Sequence, residues 1–145
     1  MHDFTYEMDL PMEPAAVAAL FTSADGVSRW WGPTEGDGAA GGVLVTSFGP
    51  YGANAVRVLE SGPHRVVWES IAPDGTTPTG HTAEWLGTHM QYDIQGTETG
   101  SRLHFRHAGL TPDLACWDAC VAAWNQFMAS IRTLAETGSG SPFRV

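Results

Sequence analysis

The chain contains no lysine. Its whole basic complement is seven arginines against 16 aspartates and glutamates, a formal net charge of −9. Nucleic-acid binding needs a basic stripe to neutralise phosphates, and so few cations cannot supply one. An anionic membrane surface repels such a chain for the same reason. Long hydrophobic runs are also missing: no stretch of 18 apolar residues occurs, which argues against a transmembrane helix and membrane insertion. The opening MHDFTYEMDL has no basic region followed by an apolar one, so no signal peptide is read there. Cysteine is scarce. Cys116 and Cys120 lie four apart and, without a secretory signal, read as reduced thiols; the expected compartment is the cytoplasm. Neither G-x-S-x-G, a P-loop nor H-E-x-x-H is present, so no reaction class is signalled, and no cofactor is expected. The pair Gly36-x-Gly38 reads as loop composition.

What the chain has in excess is aromatic bulk. Six tryptophans stand among 145 residues, in a chain 43% hydrophobic. That length is one domain, residues 1–145, long enough to bury a core without disulfides or metal. Each indole can bury about 150–250 Å², so the six either fill a core or line a cavity.

Phe4, Tyr6, Met8 and Leu10 alternate with polar neighbours, the pattern of a half-buried strand, and Pro11 stops it. Residues 14–21 (PAAVAALF) and 25–31 read as two short helices, the second ended by Gly32-Pro33. Residues 34–42, rich in glycine and acids, read as a mobile loop. Strands are expected at 43–48, 53–60, 65–71, 83–94 and 101–107, with a long polar loop (PDGTTPTGHT) before the fourth of these. From Pro112 to Glu136 there is no internal glycine or proline. Trp117, Cys120, Val121, Trp124, Phe127, Met128, Ile131 and Leu134 recur there at three- and four-residue spacing, predicting one long helix with Thr111 as N-cap and Gly138 as stop. Such a stripe needs a concave sheet to cover it. Parity then divides the strands: Met90, Tyr92 and Ile94, and Leu103, Phe105 and His107, face inward, as do Trp68 with Val66 and, by preference, Leu44, Thr46 and Phe48. His89, His104, Asp93 and Arg106, together with Glu84, are expected on a solvated outer face.

Arg29-Trp30-Trp31-Gly32-Pro33, Gly41-Gly42 opening a strand, and Arg65-Val66-Val67-Trp68 resemble the family named after the activator of heat-shock protein 90 ATPase, of the START-like superfamily. Residues 107–112 (HAGLTP), Cys116, Cys120, Trp124, Ser130-Ile131-Arg132, Glu136-Thr137-Gly138 and Pro142 resemble its bacterial single-domain subgroup. The resemblance implies an α+β helix-grip (START/Bet v 1-like) fold. In it a curved antiparallel sheet wraps a long C-terminal helix, with two short helices after the first strand and a hydrophobic cavity between sheet and helix. The family name does not transfer a function, because the eukaryotic activators carry a further domain for which this chain has no room.

The leading expectation is a binding module for a small hydrophobic or aromatic molecule. Its site would draw on Trp30, Trp31, Phe48, Trp68 and Tyr92, and on Phe105, His107, Cys120, Trp124 and Met128. Of Trp30 and Trp31, which on a helix would point about 100° apart, one is expected in the core and the other at the lip. Entry is expected beside them and the loop 34–42. His107 would be the principal polar wall, either bonded to backbone or serving as acid or base. A cyclase- or dehydratase-like enzyme using His107 with Tyr92 or Tyr51 is the second reading. A co-chaperone or interaction module, with a basic protein or a second copy as partner, is the third. Cys116, Cys120 and His107 fall short of a metal site, since structural zinc takes four ligands; the thiols read as small packed residues.

Overall fold

The computed structural model describes residues 2–73 and 81–144. Most of the polar loop expected before the fourth strand run therefore lies outside the described residues. Strand β1 (Phe4–Leu10) leads into two short helices, α1 (Pro14–Ala18) and α2 (Ala24–Ser28). Strands β2 (Thr34–Gly36), β3 (Val43–Ser47), β4 (Ala53–Ser61) and β5 (Arg65–Ile71) follow, with a 3-10 turn at Gly49–Tyr51. Helix α3 (His81–Trp85), strands β6 (His89–Thr97) and β7 (Gly100–Ala108) and helix α4 (Trp117–Thr137) come last. The strands form one antiparallel sheet in the order β1-β7-β6-β5-β4-β3-β2. A register shift between Val58 and Glu60 puts a bulge in β4, a device that bends a strand. With α4 covering the inner face, this is the helix-grip arrangement, α+β as expected.

Side-chain alternation sorts the faces as the parity argument requires. Leu44, Thr46 and Phe48, Met90, Tyr92 and Ile94, and Leu103, Phe105 and His107 are all buried. The opposite parity carries the ion pair of Arg65 with Asp93 at 2.6 Å and places the His104 and His89 rings beside Glu7 and Glu69, at 3.2 and 3.8 Å.

Several expectations are corrected. Helix α4 begins at Trp117, five residues later than the pattern suggests, because the segment before it closes in tight turns (Leu114 N–H to Thr111 O and Trp117 N–H to Leu114 O, both 3.1 Å). The Thr111 hydroxyl bonds to the Asp113 carboxylate instead of capping the helix. Gly138 does end it, with φ 88° and its N–H on Leu134 O at 2.8 Å. The run 83–94 is not one strand. Residues 81–85 are helical, Gly87 turns the chain at φ +80°, and β6 starts at His89. The tertiary contact behind this is the Trp85 indole, which stacks on Trp124 at 5.7 Å and 6°.

Helices α1 and α2 are shorter than read. Trp30 and Trp31 therefore lie past the end of α2, where the 100° helical offset no longer separates them. Both are buried and stack at 5.6 Å and 15°, Trp30 wholly within the core and Trp31 with one edge on the cleft described below. Helix α2 is capped by Ser23 Oγ, which accepts from Gly26 N–H at 3.0 Å. Gly26 itself is required by close approach, since a Cβ there would stand 1.9 Å from the Ala19 carbonyl oxygen.

The segment 34–42 is not a loose loop. It contains β2 and is tied by Asp37 N–H to Val43 O (3.0 Å), Gly41 N–H to Val58 O (2.8 Å) and Val58 N–H to Gly42 O (2.9 Å). Gly36, Gly38 and Gly41 have the spacing of a dinucleotide-binding loop, but here they join two antiparallel strands and open no helix. A phosphate cradle needs that helix N-terminus.

Candidate functional site

A cleft of about 410 Å³ opens between α4, α3 and the 3-10 turn. Trp31 and Phe48 line it from the sheet side, Trp85 from α3, and Cys120, Ala123 and Phe127 from α4. Asn54 of β4 also lines it, as do Tyr51, His81, Gln126 and Phe143. Phe143 reaches it because the C-terminal segment is pinned, Phe143 N–H to Trp31 O at 3.0 Å and Ser141 N–H to Ser130 Oγ at 2.7 Å. Its ring then packs on Phe48 and Tyr51, at 5.6 and 6.1 Å.

Of the ten residues expected to line a site, Trp31, Phe48 and Cys120 border this cleft. Trp30, Trp68, Tyr92, Phe105, Trp124, Met128 and His107 are buried among the core and do not border it. The opening also differs from expectation. It lies at α3 and the 3-10 turn, because the glycine-rich segment 34–42 is held by backbone bonds. Trp85, which by sequence is most simply aromatic core able also to contact a ligand, borders the cleft because residues 81–85 are helical. Asn54 shares parity with Val56 and Val58, a signal that could have placed it inward. Nothing in the sequence pattern pointed to Phe143, which follows the last regular element.

His107 has a definite role. The Trp124 indole N–H, which can only donate, lies 3.0 Å from His107 Nδ1, so Nδ1 accepts and the ring proton sits on Nε2. Nε2 then donates to Thr88 Oγ1 at 2.8 Å, and Thr88 Oγ1 donates to the Trp85 carbonyl at 2.6 Å. The indole N–H, the imidazole N–H and the threonine O–H of this relay are all used. Burial holds the imidazole neutral, its pKa lowered to about 3, with Asp3 opposing that shift and His89 adding to it. A histidine that is fully enclosed, neutral and bonded at both nitrogens has no proton to exchange with a substrate near neutral pH. The tyrosines paired with it do no better. Burial raises the Tyr92 phenol well above its ordinary range, and Tyr51 is 72% exposed.

Glu84, expected on a solvated face, instead clamps two elements. Its carboxylate accepts from Ala115 N–H at 2.8 Å and Cys116 N–H at 2.9 Å, meeting amides at the start of α4 that have no intrahelical partner. Cys116 and Cys120 are buried free thiols, and burial raises the pKa of both. Among the described residues no three His, Cys, Asp or Glu side chains are grouped to hold a metal ion.

A seven-stranded antiparallel sheet gripped on a C-terminal helix, with an aromatic cleft beside that helix, places the chain among proteins of the helix-grip, START-like fold. Solved structures agree. The chain is similar to the Aha1 protein of Colwellia psychrerythraea, described as a dimer, at TM-score 0.81 and 22% identity over 97% of this chain and 100% of that one. It is similar to DynU16, a protein of the dynemicin biosynthetic locus, at TM-score 0.74 and 17% identity over 97% of this chain and 49% of that one. CalU16 of Micromonospora echinospora aligns at TM-score 0.66 and 15% identity over 94% of this chain and 74% of that one. At these identities the likeness establishes the fold. No protein-family model matches the chain, and no curated protein matches its sequence. No helix among the described residues is long and apolar enough to cross a membrane.

Proposed function

We propose that the protein binds a small, predominantly apolar aromatic molecule in the cleft between α4 and α3. The observation that carries this is the lining. In a space of about 410 Å³, within the range typical of small-molecule sites, two indoles and three phenylalanine rings converge around few polar atoms. The alternative of acid–base catalysis finds no support in the bonding of His107, and among the described residues lining the cleft no side chains pair an acid with a base.

The test is a titration with an environment-sensitive naphthalene dye, followed by dye emission and by quenching of tryptophan. Binding with roughly one dye per chain supports the proposal, provided that Ala123→Phe, which fills the cleft from α4, abolishes it while leaving the melting curve intact. Dye binding that ignores Ala123→Phe, or no binding at all, overturns it.

A further inference from the structure

Two residues lining this cleft carry a buried polar atom with no hydrogen-bond partner among the described residues, Trp85 Nε1, which can only donate, and Asn54 Oδ1, which can only accept. Asn54 is 4% exposed, and its Oδ1 is buried without a hydrogen bond among the described residues. Buried carboxamides are almost always satisfied, so an orphan beside a cleft calls for a reason. The neighbour best placed to satisfy it is already committed. Thr46 sits opposite Asn54 in the β3–β4 pairing. The Thr34 hydroxyl donates to Gly32 O at 2.8 Å, so in the 2.7 Å contact between the two threonine hydroxyls it is Thr46 that donates. Thr46 has no second hydroxyl proton to give to Asn54.

The rest of the lining restricts the charge of a guest. Among the described residues it contains no Asp, Glu, Lys or Arg. Burial lowers the pKa of His81 and raises that of Cys120, which keeps both uncharged at neutral pH. No counter-charge awaits an ionic ligand, and the chain's net charge of −9 opposes an anion. Shape restricts it further. The Trp31 and Trp85 planes lie within 17° and 6° of the Trp124 plane, so the two indoles lining the cleft are nearly parallel, which favours a planar ring between or beside them.

We infer that Asn54 is the specificity-determining anchor of the cleft, accepting a hydrogen bond through Oδ1 from the O–H or N–H of an uncharged one- or two-ring aromatic ligand. The inference rests on the ligand-binding reading of the cleft and adds the chemical class. A phenol or an N–H heteroaromatic fits. The O-methylated counterpart leaves Oδ1 unmet, and the carboxylate counterpart brings a charge that no cation among the described lining residues offsets, an indole N–H being a neutral donor.

Three probes of one ring system separate the outcomes: 2-naphthol, 2-methoxynaphthalene and 2-naphthoate, titrated at neutral pH by fluorescence and calorimetry. The parent protein is expected to bind 2-naphthol about tenfold more tightly than 2-methoxynaphthalene, and 2-naphthoate weakest of all. Asn54→Leu exchanges an unpaired buried amide for an apolar group of similar shape, so it should melt at or above the parent temperature. It should retain 2-methoxynaphthalene and lose the preference for 2-naphthol. Asn54→Ala, measured in parallel, should lose the same preference. Equal binding of the two neutral probes to the parent, a preference that survives in Asn54→Leu, or tightest binding of 2-naphthoate overturns the anchor while the cleft reading stands. If none of the three binds, the cleft reading fails and the anchor fails with it.

Discussion

The indole of Trp124 donates its only proton to His107 Nδ1 at 3.0 Å, and that contact dictates which nitrogen of the imidazole carries hydrogen. The consequence reaches the neighbouring strand turn and α3, since the proton on Nε2 commits Thr88, and Thr88 commits the Trp85 carbonyl. Helix α4, strand β7 and the end of α3 are thus joined by a directed chain of hydrogen bonds inside an aromatic core. Trp85 and Trp124 stack against one another and meet the imidazole edge-on, at 4.6 and 5.8 Å.

Removing the indole N–H tests that chain directly. Trp124→Phe keeps an aromatic ring in the core but leaves His107 Nδ1 without a donor, a loss of about 1–3 kcal/mol. Trp124→Ala also opens a cavity and should cost about 3–5 kcal/mol. In a double-mutant cycle, His107→Leu should be markedly less damaging in the Trp124→Phe background than in the parent. Additive losses, read from denaturant unfolding, would mean that the contact stabilises nothing.

The same burial sets a pH dependence. The folded pKa of His107 is lowered from 6.5 to about 3. Between those values the unfolded chain binds a proton that the native chain refuses, so stability rises with pH. The contribution is complete above about pH 6.5 and is lost progressively towards pH 3, at up to about 1.4 kcal/mol per pH unit. His81, also lowered by burial, adds a slope of the same sign. Unfolding free energy measured from pH 7 to pH 4 should fall, and His107→Gln should flatten the slope by close to one proton. An unchanged slope in that variant would place the titration elsewhere.

How much of this was legible beforehand varies by element. The inward placement of His107 followed from two-residue alternation with Leu103 and Phe105, because a one-residue slip would have exposed all three. The apolar stripe on α4 was equally plain, for 3.6-residue periodicity survives any tertiary detail. Tertiary contacts decided the rest. Trp85 is helical because its indole meets Trp124 and Glu84 meets the α4 amides, partners that sit 39 and about 31 residues away along the chain. Trp30 and Trp31 stack because α2 stops at Ser28, and helix length is poorly specified by five residues of ordinary propensity. Parity could place Asn54 inward, but not its unpaired oxygen: an orphaned amide can be recognised only once every neighbour's hydrogen bonds are assigned.

The thiols should behave as buried side chains. Burial is the main cause that raises the pKa of both Cys116 and Cys120, so neither supplies thiolate at neutral pH. A chromogenic disulfide reagent is expected to react slowly with the native protein and to titrate two thiols promptly after denaturation. Prompt reaction of both in the native state would require α4 to open at its first turn.

The Glu84 clamp makes the last prediction, because it links the start of α4 to the helix that supplies Trp85 and His81 to the cleft. The carboxyl is held below its ordinary value of 4.5. The Cys116 thiol is the largest cause, burial opposes it, and the Ala115 and Cys116 amides lower it further. A lowered carboxyl contributes while ionised, so the clamp persists above about pH 4.5 and is lost as pH falls through the folded value. Glu84→Ala should leave the sheet and most of α4 intact, yet free the Ala115 and Cys116 amides to exchange hydrogen faster. It should also weaken dye binding in the cleft, because α3 is no longer fixed against α4. Glu84→Gln, with one acceptor oxygen in place of two, should fall between parent and alanine. Amide exchange at Cys116 that stays at the parent rate in Glu84→Ala, with dye affinity unchanged, would show that the aromatic stack of Trp85 on Trp124 holds α3 in place without the carboxylate.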